Sequence, residues 1–140
     1  MKRLINQLKR DEGFRNKPYF CTSGKLTIGY GRNLEDNGIS EDEAEIMLVN
    51  DLRSARVDCE LVFPNFDCYV KARQYALINM MFNLGLSRFL GFKKMIRAIK
   101  EDNWAEASVQ ALDSRWAEQV GSRAERIALA LKTGEFDDRQ

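Results

Sequence analysis

Few side chains in this sequence can move a proton or attack a bond. There is no histidine, which excludes histidine general bases, histidine triads and histidine-ligated zinc. Near the N-terminal end stand an acid pair, Asp11-Glu12, a thiol, Cys21, and the run Thr27-Ile28-Gly29-Tyr30-Gly31. A carboxyl can serve as general acid or base. Asp11 and Glu12 also have an ordinary reading as solvated residues at a helix end, although the helix dipole disfavours acids there. A half-buried structural thiol is the ordinary reading of Cys21. An unperturbed thiol has a pKa of about 8.5 and is only about 3% thiolate at pH 7, so a base or nucleophile here needs a depressed pKa or a strong partner. Thr27 and Gly29 share one face of an extended segment, and a glycine there leaves room for a ligand or another backbone. A strand with a bulge is the plain alternative. The glycine spacing is not that of a dinucleotide fingerprint.

The elements that must position these residues can be read from spacing. Leu4, Ile5 and Leu8 predict a short helix over 2–11, stopped at Gly13. Apolar residues alternating with polar ones between Phe14 and Gly38 predict a small antiparallel sheet, with its hairpin turn at Thr22-Ser23-Gly24-Lys25. Ser40-Glu41-Asp42-Glu43 is a capping box opening a helix of about 20 residues. Its apolar stripe is Leu48, Leu52, Ala55, Cys59 and Val62, and it ends near Phe63-Pro64. A helix that long can bridge a sheet lobe and a helical lobe. Residues 69–84 read as a central buried helix, apolar nearly all round, with Asn79 and Asn83 four apart on one side. Further helices are expected near 92–101, from Asn103, and around Ser114–Val120. Ser122-Arg123-Ala124-Glu125 reads as a second capping box, opening a helix that stops at Gly134. The expected fold class is α+β and mostly helical. It is one domain over 1–140, with a sheet lobe at about 13–38, a connecting helix at about 40–61, and a helical lobe at about 66–138 packed with helix 2–11.

Composition bounds the function. The 44% hydrophobic and 31% charged fractions are those of a globular protein. With 22 basic and 21 acidic residues, the chain lacks the excess expected of a nucleic-acid binder. Cys21, Cys59 and Cys68 are too few and scattered for a disulfide scaffold, although a Cys59–Cys68 bridge is conceivable. No apolar leader and no stretch of ~20 apolar residues is seen. The expectation is cytoplasmic synthesis, no stable membrane association and no bound metal. Arg88, Lys93, Lys94, Arg97 and Lys100 follow one another without an intervening acid. They read as a solvated face, or as a patch drawn to an anionic envelope.

Together the motifs carry a resemblance. Asp11-Glu12-Gly13-Phe14-Arg15, Pro18-Tyr19 and Thr22-x-Gly24-x-Leu26-Thr27-Ile28-Gly29-Tyr30-Gly31 closely resemble the phage-type lysozymes, the muramidases of glycoside hydrolase family 24. So do Ala76-Leu77-Ile78-Asn79-Met80, Phe82-Asn83-Leu84-Gly85, Ser114-Arg115-Trp116 and Arg123-Ala124-Glu125-Arg126, in order along almost the whole chain.

The resemblance implies a two-lobed lysozyme-like fold with a cleft between lobes. It implies an endolysin that cuts the β-1,4 bond between N-acetylmuramic acid and N-acetylglucosamine in peptidoglycan, causing host lysis. Its catalytic positions fall on Glu12, Cys21 and Thr27. Glu12 is the implied general acid, which must hold its proton at working pH, as desolvation favours and a nearby Arg⁺ opposes. Arg123 stands where the family places such an arginine. Cys21 replaces the aspartate of the best-known members. It is open as a thiolate base, a nucleophile giving a thioglycoside, or a polar group positioning water, with water activation favoured over covalent catalysis. Thr27 would bond that water or Cys21. Asn33, Phe82, Asn83 and Gln110 are the implied substrate-binding residues, and Phe82 has core packing as its ordinary role. Arg32 stands where some relatives carry histidine. The implied protein is a monomer without cofactor, acting on peptidoglycan glycan strands. It is held in the host cytoplasm until the membrane opens, as the family does through holins. A lytic transglycosylase needing only Glu12, or a non-catalytic peptidoglycan-binding protein, is the alternative.

Overall fold

The computed structural model describes residues 1–137; position 138, where the expected helical lobe ends, lies outside the described residues. The fold is α+β and mostly helical, and the chain divides into two compact units, Met1–Met47 and Leu48–Gln140.

The first unit opens with α1 (Lys2–Glu12), stopped where Gly13 (φ +72°) turns and donates its amide to the Lys9 carbonyl at 3.1 Å. Three antiparallel strands follow in the order β1-β2-β3: β1 (Arg15–Phe20), β2 (Leu26–Gly29) and β3 (Arg32–Asn33). Tyr19 pairs with Thr27 and Phe20 with Leu26, while the register slips between Arg15 and Tyr19. Pro18 sits in that slip and has no N–H to give the ladder. The hairpin turn lies where the spacing places it: the Cys21 amide donates to the Lys25 carbonyl at 3.0 Å, and the Gly24 amide to the Cys21 carbonyl at 2.8 Å. A short helix the periodicity does not reveal, α2 (Leu34–Asn37), is a single turn capped by Asn33.

The long helix α3 (Glu41–Val62) begins in the first unit and continues in the second. Its capping box forms as expected: the Glu43 amide donates to Ser40 Oγ at 3.1 Å, and the Ser40 amide to Glu43 Oε1 at 2.9 Å. Of its apolar stripe, Ala55, Cys59 and Val62 are buried, while Leu48 and Leu52 are exposed.

The second unit continues with a 3-10 turn at Phe66–Cys68, α4 (Lys71–Leu84), α5 (Leu86–Phe89), α6 (Lys93–Lys100), α7 (Trp104–Leu112), α8 (Arg115–Val120) and α9 (Ser122–Thr133). Within it α4 and α7 pack on α9, and α6 packs on α7. Phe63, Phe66, Leu77, Met80, Met81, Phe89, Met95, Ile99 and Leu131 form the buried centre. Each such side chain contributes about 1.5–3 kcal/mol by leaving water. Phe63 meets Phe89 edge-on at 6.1 Å, and Tyr69 meets Trp104 at 5.0 Å.

Two expectations need correction. Helix α4 is buried on one side only, since Tyr75 and Phe82 are exposed. Nor does the second capping box form. Gly121 (φ 58°) makes the turn, so Ser122 is already the first helical residue, and its Oγ accepts from Arg126 Nη1 at 3.1 Å. The three cysteines are free: Cys59 is buried and Cys68 exposed, with no bridge between them. Burial pushes the Cys59 thiol up to about 12.

Candidate active site

The chemistry-bearing residues of the first unit are placed by its turns. Glu12 is the last residue of α1 and is exposed. Its carboxyl reaches the loop between β2 and β3, where it lies against the bare Cα of Gly31. Tyr30, one step earlier in that loop, stacks with Phe14 at 5.4 Å and takes the Lys9 ammonium over its ring at 5.4 Å. Contacts of this kind stabilise by about 0.5–1.5 kcal/mol each, and they tie α1 to the sheet.

Cys21 follows β1 at the start of the hairpin turn and is half-buried. Its Sγ lies 3.6 Å from Ser23 Oγ. The Ser23 hydroxyl, followed by the backbone amides of Lys25 and Ser23, stabilises the thiolate and holds this thiol at about 7 rather than 9.0. Thr27 gives the smallest contribution in the same direction. A thiol at about 7 is about half ionised at pH 7, so the turn supplies the depression that a base or nucleophile needs.

Thr27 is buried in β2 and donates its hydroxyl to the Lys25 carbonyl at 2.8 Å. That carbonyl also receives the Cys21 amide. One backbone oxygen therefore fixes Cys21 and Thr27 on either side of the turn. Asn33, opposite Thr27 in the ladder, is occupied as a cap. Its Oδ1 accepts the Asp36 amide at 3.0 Å, and its Nδ2 donates to Asp36 Oδ2 at 2.9 Å.

Arg32 has a different occupation. Its guanidinium forks onto Glu43 at 2.9 and 2.6 Å and donates to the Gly38 carbonyl at 3.1 Å. The Arg32 guanidinium, with the Ser40 amide, pulls the Glu43 carboxyl down to about 2. Together they fasten the β2–β3 loop to the start of α3.

The remaining residues belong to the second unit. Asn83 accepts the Trp116 indole N–H at 2.8 Å, and Asn79 accepts Arg123 Nε at 2.9 Å. The two asparagines one turn apart on α4 thus hold α8 and α9. Gln110 donates to Glu106 at 2.8 Å and faces a pocket of about 540 Å³ with Trp116 and Arg115. Phe82, about two-fifths exposed, lines a separate groove of about 590 Å³ with Leu52, Ile78 and Arg123.

Sequence reasoning named Gly31 only within the Thr27–Gly31 run, with no role towards Glu12, and gave Ser23 no role towards Cys21. Ser23 was legible only as a turn residue, although a hydroxyl two positions after a cysteine in a tight turn is within reach of its sulfur. The partner of Arg32 was hidden by an 11-residue separation. Among the described residues no group of three or more His, Cys, Asp or Glu could hold a metal ion, and no helix is long and apolar enough to cross a membrane.

This arrangement of acid, perturbed thiol and buried threonine in a small sheet unit is accompanied by a family match. Residues 9–130 match the phage lysozyme family. The chain belongs to that family. A probable T4-type lysozyme of Dictyostelium discoideum is 29% identical over 163 aligned positions, covering 94% of each chain. The endolysin of Acyrthosiphon pisum secondary endosymbiont phage 1 is 28% identical, over 83% of this chain and 80% of its own. The pre-baseplate central spike protein of Enterobacteria phage T4 is 28% identical over 96% of this chain, which spans only 28% of that protein.

Proposed function

We propose that the protein is an endolysin-type muramidase, a single lysozyme domain that hydrolyses the β-1,4 bond between N-acetylmuramic acid and N-acetylglucosamine in bacterial peptidoglycan. The observation that carries the reading is the family match across residues 9–130, which takes in Glu12, Cys21 and Thr27 together. The depressed thiol at Cys21 supports it, because that position then has a group able to accept a proton near neutral pH.

In this reading Glu12 donates its proton to the glycosidic oxygen as the bond to muramic acid C1 breaks. Glu12 is exposed, so its carboxyl is open to a bound glycan. Water attacks C1, and the Cys21 thiolate takes the proton that water gives up. The Thr27 hydroxyl donates its hydrogen bond to the Lys25 carbonyl oxygen. Its oxygen therefore serves as an acceptor, fit to orient the attacking water. One product ends in a reducing muramic acid and the other in the free 4-hydroxyl of N-acetylglucosamine. Glu12 regains a proton from solvent and Cys21 releases one. Phe82, Asn83, Gln110 and Asn33 are the substrate-binding residues of this reading, and Arg123 supports the site. The protein acts as a monomer without cofactor, accumulates in the host cytoplasm, and lyses the host once the membrane is opened.

Digestion of purified Gram-negative peptidoglycan, with mass spectrometry of the new ends, tests this. Reducing muramic acid ends are expected. Anhydro ends would replace the proposal with a lytic transglycosylase, and the absence of any product would replace it with a wall-binding protein.

A further inference from the structure

We infer that Gly31 is the positioning residue for the Glu12 carboxyl, its missing side chain being the space in which the acid is held. The inference rests on the reading of Glu12 as general acid and deepens it.

A Cβ built on Gly31 would stand 3.0 Å from Glu12 Oε2, 3.3 Å from Cδ and 3.6 Å from Cγ. The whole end of the acid side chain, and not one atom of it, therefore lies against this α-carbon. Most other glycines of the first unit give a different picture. Gly13, Gly24, Gly29 and Gly38 also have positive φ, yet a Cβ on any of them would meet nothing within 4 Å. Their backbone conformation alone accounts for glycine. At Gly31 (φ +81°) the same conformational demand coincides with close approach to the reacting acid.

The loop cannot easily give way. Tyr30 before it is held between Phe14 and Lys9. Arg32 after it is forked onto Glu43 and bonded to the Gly38 carbonyl. Glu12 is exposed, and its carboxyl is the far end of a flexible side chain. A methyl group at Gly31 would therefore be accommodated by a shift of the carboxyl of a few tenths of an ångström. The consequence falls on the position of the acid, and rate is sensitive to position: about 1 Å can cost on the order of 100-fold, and a few tenths of that correspondingly less.

The experiment compares Gly31→Ala with Gly38→Ala. Both place alanine at a positive φ in the first unit, and only the first meets Glu12. Kinetics on solubilised peptidoglycan should show kcat of Gly31→Ala reduced severalfold, to about 10-fold, with KM little changed. Gly38→Ala should keep the wild-type kcat per folded molecule. The carbon-13 resonance of the Glu12 carboxyl gives a readout independent of turnover. It should move in Gly31→Ala and stay in Gly38→Ala.

Equal kcat in the two variants, or an unmoved Glu12 resonance, would overturn the inference. So would a Gly31→Ala protein that fails to fold while Gly38→Ala folds, since backbone strain would then explain the glycine by itself. If instead Glu12→Gln kept full activity, the muramidase reading would fail while the carboxyl resonance still reported the contact. The two failures are therefore distinguishable.

Discussion

The two units of this protein are held together by different forces. Among the described residues, every buried apolar side chain lies in the second unit, from Ala55 to Leu131. The first unit buries only Thr27. Its Phe14, Phe20 and Tyr30 are exposed. What organises it is polar and local: caps, a three-stranded ladder, the Arg32–Glu43 fork, and Lys25 reaching Glu35 and Asp36 at 3.4 and 3.3 Å. The candidate proton-transfer groups sit in this polar unit. Ion pairs and hydrogen bonds fix direction in a way that apolar contacts do not, at the cost of sensitivity to pH and salt. The helical unit also carries ion pairs, such as Arg56 with Glu60 and Asp67, but its buried apolar side chains add a non-directional contribution that the first unit lacks.

The sharpest break between the units separates activity from stability. Glu12→Gln should reduce peptidoglycan hydrolysis by about 10³-fold or more, within the range of a general acid, while leaving thermal unfolding unchanged because the residue is exposed. Wild-type turnover in that variant would remove Glu12 from the chemistry. Leu77→Ala should do the reverse. Leu77 is fully buried in α4, and a cavity there costs about 2–5 kcal/mol, read by denaturant unfolding, with activity per folded molecule retained. A loss much below that range would show that the second unit collapses into the space.

How much of this was legible in the sequence follows the same division. The helical unit was read well where apolar residues recur every three or four positions. Helices α6 and α7 fall where Met95 and Ile99, and Trp104 and Ala107, place them. Elements too short for a period, α2, α5 and the 3-10 turn, left no such signal. Capping was legible at Ser40, which stands just ahead of the helix and makes both bonds of the box, and misleading at Ser122, where Gly121 had already made the turn. At the candidate site, Glu12, Cys21 and Thr27 stood out as chemistry-bearing types, and their catalytic assignment came from the family resemblance. The depression of the Cys21 thiol was not, because it depends on the direction of amides within the turn. The approach of Glu12 to Gly31 was not either, since it is a contact between residues far apart in sequence.

The polar unit should betray itself in acid. In the folded protein the Glu43 carboxyl titrates at about 2 instead of 4.5. A carboxyl lowered by folding contributes stability above its unfolded pKa, and the contribution is lost as pH falls from about 4.5 towards 2. Both partners are about 40% exposed, so solvent discounts the effect. Protection of the amides of Ser40 and Glu43, and of the Tyr30–Arg32 loop, relative to their intrinsic exchange rates should therefore fall between pH 5 and pH 3 by more than protection in α4. Arg32→Ala should flatten that difference. Equal acid sensitivity in the two units would contradict the contrast between them.

The smallest effect concerns Ser23, and it decides what Cys21 does. The Ser23 hydroxyl is the largest of the influences holding the thiol near 7, with the amides of Lys25 and Ser23 behind it. Ser23→Ala removes the hydroxyl and leaves the amides, so the thiol should rise part of the way from about 7 towards 9.0. In a Cys68→Ser background, alkylation rate against pH reports Cys21, because Cys59 is buried and pushed up to about 12. If the thiolate accepts the proton of water, the rising limb of hydrolysis against pH should move upward together with the alkylation curve. Activity at pH 6 should fall severalfold, and variant and parent should converge above pH 9, where both thiols are ionised. A hydrolysis profile that stays still while the alkylation curve moves would assign Cys21 to positioning water. The proton would then leave by another route.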